Sequence, residues 1–123
     1  AMLGLSGAAE ATSANGRWLA VEIGGIPSAR GVESTLELDG SGRASGHGGC
    51  NRFGGPVTIG DGRIGFGALA ATRMACPGPE MDQENRYFQV LGRAAAWRLD
   101  SGRLILLDVQ GKVVAAFVSM RRN

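Results

Sequence analysis

Alternation of apolar and polar residues at period two runs through most of the chain. Residues 34–39 place Leu36 and Leu38 on one face and Thr35, Glu37 and Asp39 on the other, the pattern of a half-buried strand. Residues 18–23 open on Trp18 and carry Val21 and Ile23, which predicts a first strand, stopped by Gly24-Gly25-Ile26-Pro27. Gly40-Ser41-Gly42 turns the chain back into residues 43–46. A second hairpin is predicted where residues 56–59 and 63–66 flank the polar turn Gly60-Asp61-Gly62. Residues 67–76 are weakly patterned and read as extended.

The period changes once. After the break Pro77-Gly78-Pro79, the residues Met81, Phe88, Leu91 and Ala95 recur at helical spacing as one apolar stripe, with Asp82, Gln83, Arg86, Gln89 and Arg93 largely off it. Pro79 suits the first helical position, and Glu80 and Asp82 suit the positive end of the helix dipole. Residues 96–99, 104–107 and 113–118 predict three closing strands, separated by turns at 100–102 and 108–111. Strands in sequential hairpins form antiparallel sheets, which a helix can cover or plug. The expected fold is therefore α+β: a strongly curved antiparallel β-sheet, resembling an incomplete barrel, with one main helix inserted before the last three strands.

Composition narrows the function classes. Glycine, at 21 of 123 residues, is more than twice its usual share of ~7% and lacks a collagen-like repeat, so it signals tight turns and close chain approaches. The net charge is only +2, and Arg121-Arg122 is the single locally basic site, so no nucleic-acid partner is expected. No run approaches the ~20 apolar residues of a membrane-spanning helix. Residues 1–14 are small, apolar or hydroxylated apart from Glu10, and residues 1–16 are expected to form a flexible segment: a linker after a lipid anchor or an earlier domain, an export remnant or a cloning scar. Residues 17–120 are then one domain, expected to be a monomer.

The candidate chemistry gathers in two places. Residues 46–55 read Gly-His-Gly-Gly-Cys-Asn-Arg-Phe-Gly-Gly, with the single histidine and one of two cysteines; residues 72–77 read Thr-Arg-Met-Ala-Cys-Pro and hold the other. Both are expected to be irregular segments lying against each other. A Cys50–Cys76 bridge would stabilise the chain by ~3–4 kcal/mol on a chain-entropy account and imply an oxidising compartment. Spacing alone leaves two free thiols open. His47 and Cys50 could be drawn as a nucleophile pair, but no third group orients the imidazole, and a structural bridge with an exposed histidine is the better account. Glu80, Asp82 and Glu84 crowd the helix start, where dipole and solvent explain them. A soft Cu(I) site from His47, Cys50, Met74 and Cys76 would need both cysteines reduced. Asn51 and Thr72 read as turn-forming residues. Arg52 and Arg73 flank the two cysteines as a cationic rim.

These residues carry a family resemblance. Trp18-Leu19 followed by Gly24-Gly25, the loop Gly49-Cys50-Asn51-Arg52-Phe53-Gly54-Gly55 and the segment Thr72-Arg73-Met74-Ala75-Cys76 resemble the signatures of META domains, the HslJ-like family of heat-shock-associated bacterial proteins. Glu84, Phe88 and Leu91, then Leu104, Leu106, Asp108, Gly111 and Phe117, fall where that family carries its helix and closing strands. His47 has no counterpart in the pattern. The resemblance covers about residues 17–118 and implies a bacterial cell-envelope protein, periplasmic or at the surface, often lipid-anchored, with no established catalysis. The expectation is a non-enzymatic binding or stabilising module in stress response or envelope maintenance, needing no cofactor. Its disulfide is Cys50–Cys76, and its interaction surface is His47, Asn51, Arg52, Phe53, Thr72, Arg73 and Met74. Its partner is an unknown envelope protein. The alternative is a carrier of a small apolar or lipid-like ligand inside the curved sheet, lined by Leu36, Leu38, Ile64, Phe66 and Phe88.

Overall fold

The computed structural model describes residues 13–120. Ten strands and one helix follow in the order β1 (Gly16–Ile23), β2 (Ile26–Pro27), β3 (Thr35–Leu38), β4 (Arg43–His47), β5 (Arg52–Ile59), β6 (Ile64–Phe66), β7 (Ala70–Ala71), α1 (Gly78–Arg93), β8 (Ala96–Asp100), β9 (Arg103–Leu107) and β10 (Val113–Ser119). All pairings are antiparallel, in the order β6-β5-β4-β3-β1-β10-β9-β8, with β2 beside β1 and β7 beside β5. β1 joins the two halves of the chain, pairing with β3 on one side and with β10 on the other; Trp18 lies opposite both Leu36 and Ser119.

The sheet curls almost into a barrel. Its first and last strands meet at an Arg63–Ala96 bridge, supported by the Ile64 N–H on the Ala95 carbonyl (3.2 Å) and the Trp97 N–H on the Gly62 carbonyl (3.1 Å). Register shifts between Ala20 and Glu22 in β1 and between Val113 and Ala115 in β10 increase the local twist that such closure needs. Alternation sends one face of each strand inward, where Trp18, Leu36, Leu38, Leu104, Leu106 and Phe117 are fully buried. On β9 and β10 the opposite face is apolar too, and Ile105, Leu107 and Ala116 form a second cluster with Val21 and Ala96.

The expected fold class is found, with the helix ahead of the last three strands. Its buried face, however, is rotated from the predicted stripe. Gln83, Glu84, Tyr87, Val90 and Leu91 are buried; Met81 and Phe88 are half-buried at the margin, and Ala95 lies past the helix end. Two polar residues occupy the buried face because backbone donors and acceptors meet them there, so apolarity alone misjudges the orientation. Residues 46–55 are also more regular than expected: only residues 48–51 form a turn, and β4 and β5 take up the rest. Residues 1–12 of the expected flexible segment lie outside the described residues. Ala14 is buried, and its carbonyl accepts the Trp18 indole N–H at 2.8 Å, so packing begins ahead of residue 17.

Candidate functional site

The turn at residues 48–51 is held by the Gly48 N–H on the Asn51 carbonyl at 2.8 Å. Gly49 adopts φ +135°, a conformation side chains rarely take, and a Cβ on Gly48 would lie 2.7 Å from Glu84 Oε1 and 2.9 Å from the Phe88 ring. The turn can therefore lie flat on α1. Two of its amides then point at one carboxylate. Glu84 Oε1 accepts from the N–H groups of Cys50 (3.0 Å) and Asn51 (2.6 Å), while Oε2 accepts from Asn51 Nδ2 (2.8 Å). Burial pushes the Glu84 carboxyl up, but the three donors and the nearby His47 outweigh it and hold the group below its ordinary value.

Asn51 carries the connection onward. Its Oδ1 accepts from Thr72 Oγ1 (2.9 Å) and from the Met74 N–H (2.6 Å), and its Nδ2 also reaches the Met74 carbonyl (3.3 Å). The Arg52 N–H donates to Thr72 Oγ1 (3.2 Å), and the Thr72 N–H returns to the Arg52 carbonyl (3.0 Å). A Cys50–Cys76 disulfide, with Cα atoms 6.0 Å apart, closes the same junction covalently. Residues 67–75 thus form a strap fixed to the rim of the sheet through β7, Asn51 and the bridge.

A parallel network stands beside it. Gln83 Nε2 donates to Ser34 Oγ (2.9 Å) and to the Val32 carbonyl (3.2 Å), Gln83 Oε1 accepts the Ala29 N–H (2.7 Å), and Ser34 Oγ donates to the Gly48 carbonyl (2.8 Å). Tyr87, its hydroxyl pushed up by burial, donates to the Thr35 carbonyl at 2.7 Å. Phe53 meets the rings of Tyr87 and Phe88 edge-on, with centroids 5.9 and 5.5 Å away. Among the described residues no buried side-chain nitrogen or oxygen lacks a partner.

The residues expected to form a surface divide in two. Asn51 and Phe53 are buried and build the platform; Arg52, Thr72, Arg73 and Met74 are exposed, Met74 at 58%. His47, expected to be exposed, is half-buried, and its Nδ1 accepts the Gly49 N–H at 3.3 Å. The disulfide removes the thiolates that a nucleophile pair or a Cu(I) set would use, and no cluster of three or more metal-ligating His, Cys, Asp or Glu occurs among the described residues. Glu84, read from sequence as a solvated helix-start acid, is instead the centre of the junction. Two signals point to it: its match to the family's helix pattern, and a glycine turn whose amides need an acceptor. Gln83 and Ser34 carried no signal, since both look like ordinary surface residues.

Between the strap and α1 lies a cleft of about 650 Å³. Phe66, Leu69 and Met74 line it on the strap side, and Met81, Asn85 and Phe88 on the helix side. Among the described residues, Arg73 is the one basic residue that lines it. No helix among the described residues is long and apolar enough to cross a membrane.

Comparison with known proteins agrees with this anatomy. A protein from Burkholderia xenovorans with an NMR structure is 29% identical, with a TM-score of 0.69 over 88% of this chain and 83% of that one. A second NMR structure is 22% identical, with a TM-score of 0.66 over 85% and 89% of the two chains. The crystal structure of a DUF4847 family protein from Bacteroides vulgatus, 15% identical, has a TM-score of 0.62 over 89% and 96% and shares the fold. The curated proteins contain no match. The META domain pattern matches residues 11–121, and with nearly the whole domain so covered, the chain belongs to the META domain family.

Proposed function

We propose that this META domain is a non-enzymatic binding module of the bacterial cell envelope, and that its working surface is the strap with the cleft beside it. The observation carrying the reading is the division of labour at the junction. The polar groups of buried Glu84 and Asn51 and of Thr72 beside them are occupied in fixing the strap, whereas Arg52, Arg73 and Met74 are held outward on a rigid base. A carboxylate with three donors and a lowered proton affinity is poorly suited to act as a general acid or base near neutral pH. The disulfide supports an extracytoplasmic setting, where such bridges persist. A role in stress response or envelope maintenance follows from the family resemblance.

Carriage of an apolar ligand inside the sheet is disfavoured, because Trp18, Tyr87, Phe117, Leu36 and Leu38 are packed there at 0–1% exposure. The test is affinity recovery from envelope extracts with the Arg52→Ala/Arg73→Ala variant. Recovery of the envelope partner should fall while the melting temperature stays constant. Equal recovery would remove the strap from the binding surface.

A further inference from the structure

The strap is an open sheet edge. β6 and β7 both pair with the same side of β5, at residues 57–59 and 53–54, and the Gly67 N–H on the Pro56 carbonyl (2.9 Å) bridges between them. They are in effect one interrupted strand. Among the described residues, the closing contacts of the sheet involve residues 62–64 and 95–97, and beyond residue 66 this strand has no paired neighbour on its outer side and faces α1 across the cleft.

The register says which groups point outward. Thr72 exchanges hydrogen bonds with Arg52, and the Met74 N–H turns to Asn51, so even-numbered residues direct their amides toward β5. In an antiparallel ladder the alternate residues direct theirs the other way, which places the N–H and C=O of Ala71 and Arg73 on the open side. Residues of both parities, Ala71 and Arg73 with Thr72 and Met74, line the cleft, as happens when a cleft meets a strand along its edge. Native edges are commonly guarded by Lys, Pro or covering elements. Leu69-Ala70-Ala71-Thr72 carries none of these residue guards.

We infer that the cleft takes an extended polypeptide segment of a partner protein, which adds to the strap as a further strand between it and α1. This rests on the binding-module reading above and names its ligand. The backbone groups of Ala71 and Arg73 would pair with the incoming strand, and alternate apolar side chains would settle against Leu69, Met81 and Phe88. Charge fixes the remaining feature. Glu84 is already held by three donors, so Arg73 is the cleft's available charge, and the segment carries a carboxylate opposite it, either an acidic side chain or a free C-terminus.

The test uses the disulfide-intact chain panned against a displayed library of random decapeptides, with an enriched peptide then synthesised as acid and as C-terminal amide. Enriched sequences should alternate apolar residues and carry an acidic group, and the peptide should slow amide exchange at Ala71 and Arg73. Ala71→Pro removes one outward N–H at an edge position where proline is tolerated, and should weaken binding roughly tenfold. Arg73→Gln should weaken it several-fold at an unchanged melting temperature. Loss of affinity in the amide form would identify a C-terminal carboxylate; retention would identify a side chain. No enrichment over a control protein, or an enriched peptide that leaves the Ala71 and Arg73 amides unprotected, overturns strand addition, and the exchange measurement decides even if Ala71→Pro fails to fold. If the library fails while Arg52→Ala/Arg73→Ala still lowers envelope-partner recovery, the binding module stands without strand addition. If recovery is unchanged as well, both fall.

Discussion

Asn51 grips Glu84 twice: its main-chain N–H lies 2.6 Å from one carboxylate oxygen and its side-chain Nδ2 lies 2.8 Å from the other. A single residue thereby fixes both oxygens of a buried acid, and its own Oδ1 remains free to hold the strap through Thr72 and Met74. The side chain uses both its donor and its acceptor end, which leaves no equivalent substitution.

Asn51→Asp is the sharpest probe of that arrangement. It would set a second carboxylate against the first and remove the Nδ2 donor. The expected loss at neutral pH is about 3 kcal/mol or more, because two buried acids cannot both ionise at contact. One of the pair would have its folded proton affinity raised above the unfolded value. Its contribution is present at low pH and lost as pH rises, so the variant should recover stability toward acid, as measured by denaturant unfolding at a series of pH values.

The native Glu84 has the opposite sign. Its folded proton affinity lies below the ordinary value of 4.5, so its stabilisation is present above that pH and is lost as pH falls through the depressed folded value. Glu84→Gln should lower stability by about 1–3 kcal/mol at neutral pH, since the amide nitrogen would face the Asn51 donor. It should also flatten the acid limb of the stability curve. An unchanged acid limb would place the pH dependence elsewhere.

Gly48→Ala tests the close approach of the turn to the helix. The added methyl would meet Glu84 and Phe88 well inside van der Waals distance, and the expected cost is about 1–3 kcal/mol. Thermal unfolding measures it directly.

The Cys50→Ala/Cys76→Ala variant should lose ~3–4 kcal/mol, a fall of roughly 10–20 °C in melting temperature for a domain of this size. Amide exchange should rise in residues 72–76 before it rises in β1 or β10, because the bridge ties the strap and the central strands have other partners.

Much of this fold is legible in the sequence, and the reasons differ by element. The hairpins are legible because Leu36 and Leu38 alternate with polar neighbours and Gly60-Asp61-Gly62 can only turn. The helix position is legible from Pro77-Gly78-Pro79, but its orientation is not. Gln83 and Glu84 look like surface residues until the chain supplies Ala29, Val32, Cys50 and Asn51, which lie up to 54 residues away. The two cysteine segments could be paired by resemblance. That Asn51 faces inward and Arg73 outward depends on where α1 sits, and no local pattern carries that. The extended course of the strap is legible, but its pairing is not, since Ala70 and Ala71 have little strand preference and owe their register to β5.

The meeting of β1 with β10 has a consequence for modularity. The Met120 N–H donates to the Arg17 carbonyl at 2.7 Å, so the start of β1 and the end of β10 lie side by side within a few residues of both ends of the described chain. Such a module can be spliced into a loop of a host protein, or cut and rejoined in a new order, with little disturbance to its interior. A circular permutant joining these ends through a short glycine linker, opened instead at the exposed turn between β5 and β6, should retain the Glu84–Asn51 junction. Its new ends would then lie beside the residues that close the barrel, where a fused reporter could register whether that seam is shut.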